Sequence, residues 1–252
     1  MQLFHPPLFN ANPTIVYDAD ANDTNVGTSI ATLGVSDAAV WDVVVQSGVT
    51  LGASSTSAWG LDFNGVPANS IINLINIGRI QGAGGDGGES VSVSGDNYSS
   101  GGGGGGAGTI VGEGGEGWGI GSTGKGADGT TDNGGAGGID TLGPTTRDSL
   151  VATAGSAGGP ALRTLNIQTV IVNRGTIYGG GGGGGGGGLD AGPITFPGGN
   201  GGDPGDAGVA GGGTTFPGGA GGAAGAAVQG NDLTWIEGQS SPNVEGAITS
   251  WP

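Results

Sequence analysis

Three stretches of the chain carry residue types whose spacing could support chemistry. Gly119-Ile120-Gly121-Ser122-Thr123-Gly124-Lys125-Gly126 fits a P-loop as far as its lysine, the pattern that wraps nucleotide phosphates in backbone N–H groups. Gly126 stands where a Ser or Thr hydroxyl must meet Mg²⁺, and no helical pattern follows. Gly198-Gly199-Asn200-Gly201-Gly202-Asp203-Pro204-Gly205-Asp206 resembles a calcium-binding nonapeptide of the β-roll type, but Gly205 occupies the apolar position that fills the roll, and the unit does not recur nine residues on. Glu113 and Glu116 have the residue type of an acid–base pair, yet glycine flanks both and nothing apolar nearby would raise one pKa. His5, the one histidine, sits in a Pro-rich terminus without a partner and reads as a packing or surface residue. With no cysteine, neither a disulfide nor a thiolate metal site can form. The chain reads as a non-enzyme needing no cofactor or metal, its carboxylates keeping a glycine-rich body soluble.

Binding is better served. Tyr98, Trp118, Ile120, Leu142, Arg147, Leu189, Ile194, Phe196 and Phe216 all lie in short inserts between glycine runs. Aromatic and Arg side chains held on a rigid scaffold dominate the energetics of protein interfaces, so these nine are the candidate receptor-binding residues. Phe196 and Phe216 have a second reading. Thr195-Phe196-Pro197-Gly198-Gly199 recurs as Thr215-Phe216-Pro217-Gly218-Gly219, and identical contexts suit rings that pack beneath a turn. The net charge of −16, five basic against 21 acidic residues, opposes binding to nucleic acid or to anionic lipid.

The elements that must position those inserts are built largely of glycine, 66 of 252 residues. The longest run, Gly179 to Gly188, follows the strand-like Thr169–Tyr178 directly. The Asn-x-Gly-x-Ile-x-Gly of Asn173–Gly179 has an earlier copy in Asn76–Gly82, and in both the glycines begin where the strand pattern stops. Within the runs a non-glycine residue often comes at every third position, as Asn200, Asp203, Asp206 and Val209 do. Three is the period of the polyproline II helix, which rises about 3.1 Å per residue. Bare faces let such helices approach to backbone hydrogen-bonding distance, and the apolar strands 71–81 and 165–178 are expected to set their register. Collagen is set aside because glycine does not keep every third position and proline is sparse.

Outside the runs the pattern is β. Val43, Val45, Val49 and Leu51 share one face at a spacing of two, as do Trp59, Leu61 and Phe63. Ile71–Ile77 is apolar on both faces, as expected of a strand between layers. The fold expected is mostly β and irregular with essentially no α-helix: a β domain over 1–81, a stacked polyglycine II sandwich over 82–230, and a strand within 231–252 that packs back. No stretch is long and apolar enough to span a membrane, and the N-terminus lacks the basic and apolar regions of a secretory signal.

Glycine runs alternating with short inserts, with Val172-Asn173-Arg174-Gly175-Thr176-Ile177-Tyr178 leading into polyglycine, resemble the glycine-rich receptor-binding adhesins at the tips of the long tail fibres of T-even-type bacteriophages. That resemblance covers about residues 70–230. It implies a virion-surface protein made in the host cytoplasm, attached through residues 1–81 to another virion protein, whose inserts recognise an outer-membrane protein or surface glycan of the host bacterium. A structural virion protein, such as a capsid spike or decoration protein, is the alternative; an ice-binding protein would need a flatter face of small residues, and a disordered chain would not melt cooperatively.

Overall fold

A computed structural model describes residues 12–90, 101–117, 124–138, 152–188, 196–214 and 217–250. Fifteen strands form three five-stranded parallel sheets. The first sheet joins β1 (Thr14–Tyr17), β4 (Val40–Val45), β7 (Ile71–Asn76), β10 (Gln168–Asn173) and β13 (Leu233–Glu237). The second joins β2 (Ala21–Asn22), β5 (Thr50–Gly52), β8 (Arg79–Gln81), β11 (Thr176–Tyr178) and β14 (Val244–Glu245). The third joins β3 (Thr24–Asn25), β6 (Leu61–Asp62), β9 (Leu162–Leu165), β12 (Val228–Gly230) and β15 (Ile248–Thr249). Every third strand thus returns to the same sheet one position further along. The result is a three-faced solenoid of five coils.

Alternation along each strand fills the solenoid. Trp41, Val43, Val45, Leu51, Leu61, Phe63, Ile72, Leu74, Ile80, Leu162, Ile171, Ile177 and Val228 point inward and are fully buried. Val43, Val45, Val49 and Leu51 share the inner side as their spacing predicts. Trp59 does not join Leu61 and Phe63 inside. Its ring lies 3.6 Å from the Arg163 guanidinium on the outer surface, and its Nε1 donates to Gln229 Oε1 at 3.1 Å. Ile71 and Ile75, expected between layers, are half-exposed on the outside of β7, since among the described residues no second layer covers that sheet.

The two copies of the Asn-x-Gly-x-Ile-x-Gly motif are one corner of the solenoid repeated in adjacent coils. Asn76 stacks on Asn173, Ile80 on Ile177 and Gln81 on Tyr178. Asn76 Nδ2 donates to Asn173 Oδ1 at 2.8 Å, and Asn173 Nδ2 donates to the Gly238 carbonyl of the next coil at 3.0 Å. These bonds link the amides from coil to coil where the chain turns and the sheet ladder is interrupted, while Asn76 Oδ1 is buried without a hydrogen-bond partner. Among the described residues one short α-helix, α1 (Val26–Thr32), follows β3 and contacts β6, with Asn25 as its cap, its Oδ1 accepting from Thr28 N–H. Seven residues give too few turns for a helical period to be legible.

The solenoid is not confined to residues 1–81. Strands at 162–178 and 228–249 complete its third coil and build its fourth and fifth, and the glycine-rich segments are two insertions, each placed between the second and third faces of a coil. The first, between β8 and β9, holds helices at 82–90, 101–109, 112–117, 124–129, 133–138 and 152–159. The second, between β11 and β12, holds helices at 179–188, 196–203, 206–213 and 217–226.

Threefold geometry is plain in the second of these ten. Gly101, Gly104 and Ala107 donate to the eighth helix, Gly102, Gly105 and Gly108 to the fourth and its turn, and Gly103, Gly106 and Thr109 to the first, in strict rotation. The same helix accepts from the third, fifth and seventh, so six helices surround it. The seventh is likewise enclosed by the first, second, sixth, eighth, ninth and tenth. The ten therefore pack as three layers of three, four and three helices. Sheet bonding runs on into this lattice, since Gly82 N–H donates to Tyr178 O in the same register as the β8–β11 pair beneath it.

Asn200, Asp203, Asp206 and Val209 do not belong to a single helix. The chain reverses between Asp203 and Asp206 at Gly205, whose φ of +77° and contact with the Glu245 backbone exclude a side chain. Glu245 faces this turn. Burial raises its carboxyl pKa, and the charges of Asp206 and Asp203 raise it further against the opposing pull of Arg79. A carboxyl raised in the folded state is penalised when ionised, so acidification through its raised pKa relieves the penalty. Glu245→Gln is therefore expected to stabilise the protein at pH 7, with an advantage that shrinks as pH falls through that pKa. Urea denaturation of both proteins at pH 7 and pH 5 reads it, and an advantage that grows on acidification would contradict the assignment.

Candidate functional site

The hydrogen bonds fix the direction of every glycine helix. Bonds from the second helix to the fourth and eighth keep a constant sequence offset, as Gly102 to Gly124 and Gly105 to Ala127 do, and those helices run parallel to it. Bonds to the first run in opposite order, Gly103 to Gly88 and Gly106 to Gly85, so that pair is antiparallel. Followed through the lattice, odd-numbered helices all run away from the solenoid and even-numbered helices all return. The described residues that flank the five connections 91–100, 118–123, 139–151, 189–195 and 214–216 therefore lie at the far end of the lattice. The near-end connections at 110–111, 130–132 and 204–205 are two or three residues long and abut the solenoid. There Gln81 Nε2 donates to Thr131 O, and Arg79, its guanidinium 5.4 Å from the Tyr178 ring, pairs with Asp132.

The far end is level. Gly101 N–H donates to Phe196 O, Gly187 N–H to Gly101 O, Gly188 N–H to Gly212 O, Gly198 N–H to Gly138 O, and Ser90 N–H to Glu116 O. The residues that flank the five connections are thus tied to one another across the lattice, not only along the chain.

Of the nine candidate binding residues, Phe196 is described. It is half-buried at the far end of the eighth helix, its ring against Gly212 of the ninth, so it supports the end face by packing. Tyr98, Trp118, Ile120, Leu142, Arg147, Leu189, Ile194 and Phe216 lie outside the described residues.

Of the P-loop-like stretch, residues 119–123 lie outside the described residues. Lys125, the lysine of the P-loop-like stretch, lies 3.6 Å from Asp128 on its own helix. Asn200 and Asp203 of the nonapeptide accept hydrogen bonds from backbone N–H groups of the fifth helix. Glu113 and Glu116 point to solvent from the third helix. Among the described residues, no group of three or more His, Cys, Asp or Glu could hold a metal ion, and no helix is long and apolar enough to cross a membrane.

No known protein family matches the sequence, and no curated protein does. Among solved structures, the chain is similar to one in the crystal structure of the gp37-gp38 adhesin tip complex of the bacteriophage S16 long tail fiber. The two share 18% sequence identity with a TM-score of 0.44, over 94% of this chain and 82% of that one. A likeness at that level decides neither partner nor function. Those rest on the arrangement of this chain's own residues.

Proposed function

We propose that the protein is a bacteriophage receptor-binding protein, carried at the tip of a tail fibre, that recognises a host outer-membrane protein or surface glycan through its five far-end connections. The observation that carries this reading is the strict alternation of the ten glycine helices. It brings the described residues that flank the non-glycine inserts to one end of a side-chain-poor body, which supports a binding role for the aromatic, aliphatic and Arg residues of those inserts. Tyr98, Trp118, Ile120, Leu142, Arg147, Leu189, Ile194 and Phe216 supply the contacts. The function is binding, with no catalytic step.

The solenoid serves as the attachment part, joined to another virion protein. Its first sheet supports this role, because Val16, Val44, Ile75 and Val172 form an outward-facing apolar row across four strands. The protein acts at the virion surface.

The test is adsorption of the labelled protein to a panel of Gram-negative bacteria, with and without their porins and surface polysaccharide. Saturable binding to a few strains, lost with one surface component, is the expected result. Replacing 139–151 by a Gly-Ser segment of equal length should lower that binding at least about tenfold while leaving the melting temperature unchanged, since hot-spot anchors contribute about 2 kcal/mol or more each. Absence of binding across the panel by a cooperatively melting protein would favour a structural virion role instead.

A further inference from the structure

A hydrogen-bonded lattice has edges, and the outward N–H groups of its perimeter helices are acceptor-seeking sites like those on the edge strand of a sheet. In the interior, N–H groups three residues apart bond the carbonyls of one adjoining helix, as Gly135 and Gly138 bond Gly105 and Gly102. On the perimeter of the same helix, Gly134 and Gly137 are again three apart. Their N–H groups donate instead to side chains of the eighth helix, Asp203 Oδ1 at 2.9 Å and Asn200 Oδ1 at 2.9 Å. The opposite side of the lattice repeats the device. Glu113 N–H donates to Asp86 Oδ1 at 2.9 Å, Gly114 N–H to Asp128 Oδ1 at 2.8 Å, and Glu89 N–H to Thr153 Oγ1 at 2.6 Å.

Beside Asn200 and Asp203 the lattice has an open position. A solvent-facing groove of about 360 Å³ runs over the eighth helix between the fifth and the ninth, floored by Gly201 and Gly202. Its walls are Gly134, Gly135 and Ala136 of the fifth helix and Asp206, Ala207 and Val209 of the ninth.

We propose that Asn200, Asp203, Asp86, Asp128 and Thr153 are edge caps. Each occupies a hydrogen-bonding position that a glycine helix from a second copy of this chain would otherwise take, and together they hold the lattice at ten helices. The period-three side chains are thus specific acceptors that stop lateral growth, beyond any general contribution to solubility. The proposal is independent of what the far end binds.

Sedimentation velocity of the Asn200→Ala/Asp203→Ala protein over a concentration series tests it, at 1 M NaCl, where the Debye length of about 3 Å removes general repulsion between the acidic copies. The variant's mean sedimentation coefficient should rise with concentration under conditions where the unsubstituted protein's does not. Amide exchange at Gly134 and Gly137 in the dilute variant should quicken about tenfold, the loss of a hydrogen bond of about 1.4 kcal/mol. Asp203→Asn keeps an acceptor without the charge and should sediment as the unsubstituted protein does. Association by Asp203→Asn equal to that of the alanine variant would make repulsion the cause and overturn the proposal, as would a folded alanine variant that never associates. Should the double variant fail to fold, Asp86→Ala makes the same test on the opposite side.

Discussion

Gly184→Ala is expected to lower the melting temperature by about 6–16 °C, or to prevent the glycine lattice from forming. Gly184 lies mid-way along the seventh helix, enclosed by six others. A Cβ there would stand 2.0 Å from the carbonyl oxygen of Gly199 and 2.6 Å from its carbon. That oxygen already accepts from Gly104 N–H at 2.9 Å, so retreat of the eighth helix loosens its bond to the second. Overpacking a core costs about 1–3 kcal/mol where side chains can yield, and each weakened hydrogen bond adds about 1 kcal/mol. Here backbone must yield, so the total is about 3–4 kcal/mol, at roughly 2–4 °C of melting temperature per kcal/mol in a chain of this size. Ala223→Gly, on the exposed side of the tenth helix, changes stability by less than about 1 kcal/mol and is the control. A Gly184→Ala protein melting within about 2 °C of the unsubstituted one would show that the seventh helix is not enclosed in solution.

The sequence carried the units of this fold more clearly than their assembly. Alternation placed Val43, Val45, Val49 and Leu51 on the inner side, and the paired Asn-x-Gly-x-Ile-x-Gly motifs marked where strands hand over to glycine helices. Neither signal says that β9, β10 and β11 stack on β6, β7 and β8, because a parallel solenoid pairs residues nearly a hundred positions apart, as Asn76 and Asn173 are. Trp59 was misplaced for a related reason. Its spacing from Leu61 and Phe63 suits an inner residue, but the chain turns before Leu61, and the Arg163 that draws the ring outward arrives from the other side of the first glycine insertion.

For the candidate site, the inserts are legible as breaks in glycine, and the common end of the residues that flank them is not. That end depends on an even alternation of direction, and direction resides in which carbonyl each N–H finds. The twenty-residue repeat illustrates both halves. Its two copies of Phe-Pro-Gly-Gly each open a returning helix, the eighth at Phe196 and the tenth at Pro217; the first then turns into the outward ninth helix, whereas the second runs into β12.

Where the chain comes back from the first glycine insertion into the solenoid, charge does what glycine does elsewhere. Arg163 of β9 stacks in register on Asp62 of β6, its Nε donating to Asp62 Oδ1 at 2.8 Å and its Nη2 to Oδ2. Both side chains are nearly buried, 14% and 13% exposed, under the ring of Trp59. Arg163→Ala leaves the Asp62 carboxylate with Asn25 Nδ2 and the Asn64 N–H as donors but no opposing charge. Removing one partner of such a pair costs about 3–5 kcal/mol, and uncovering Trp59 adds to it. Replacing both, as Asp62→Leu with Arg163→Leu, should recover most of that loss, because the penalty belongs to the stranded charge. Arg174 offers the comparison. It pairs with Glu237 on the same solenoid, but the two side chains are 65% and 41% exposed, and Arg174→Ala should cost less than about 1 kcal/mol. Urea denaturation of the three variants separates the cases: an Arg163→Ala loss no larger than that of Arg174→Ala would mean that the junction is open to water, and that the return strand is held by its ladder alone.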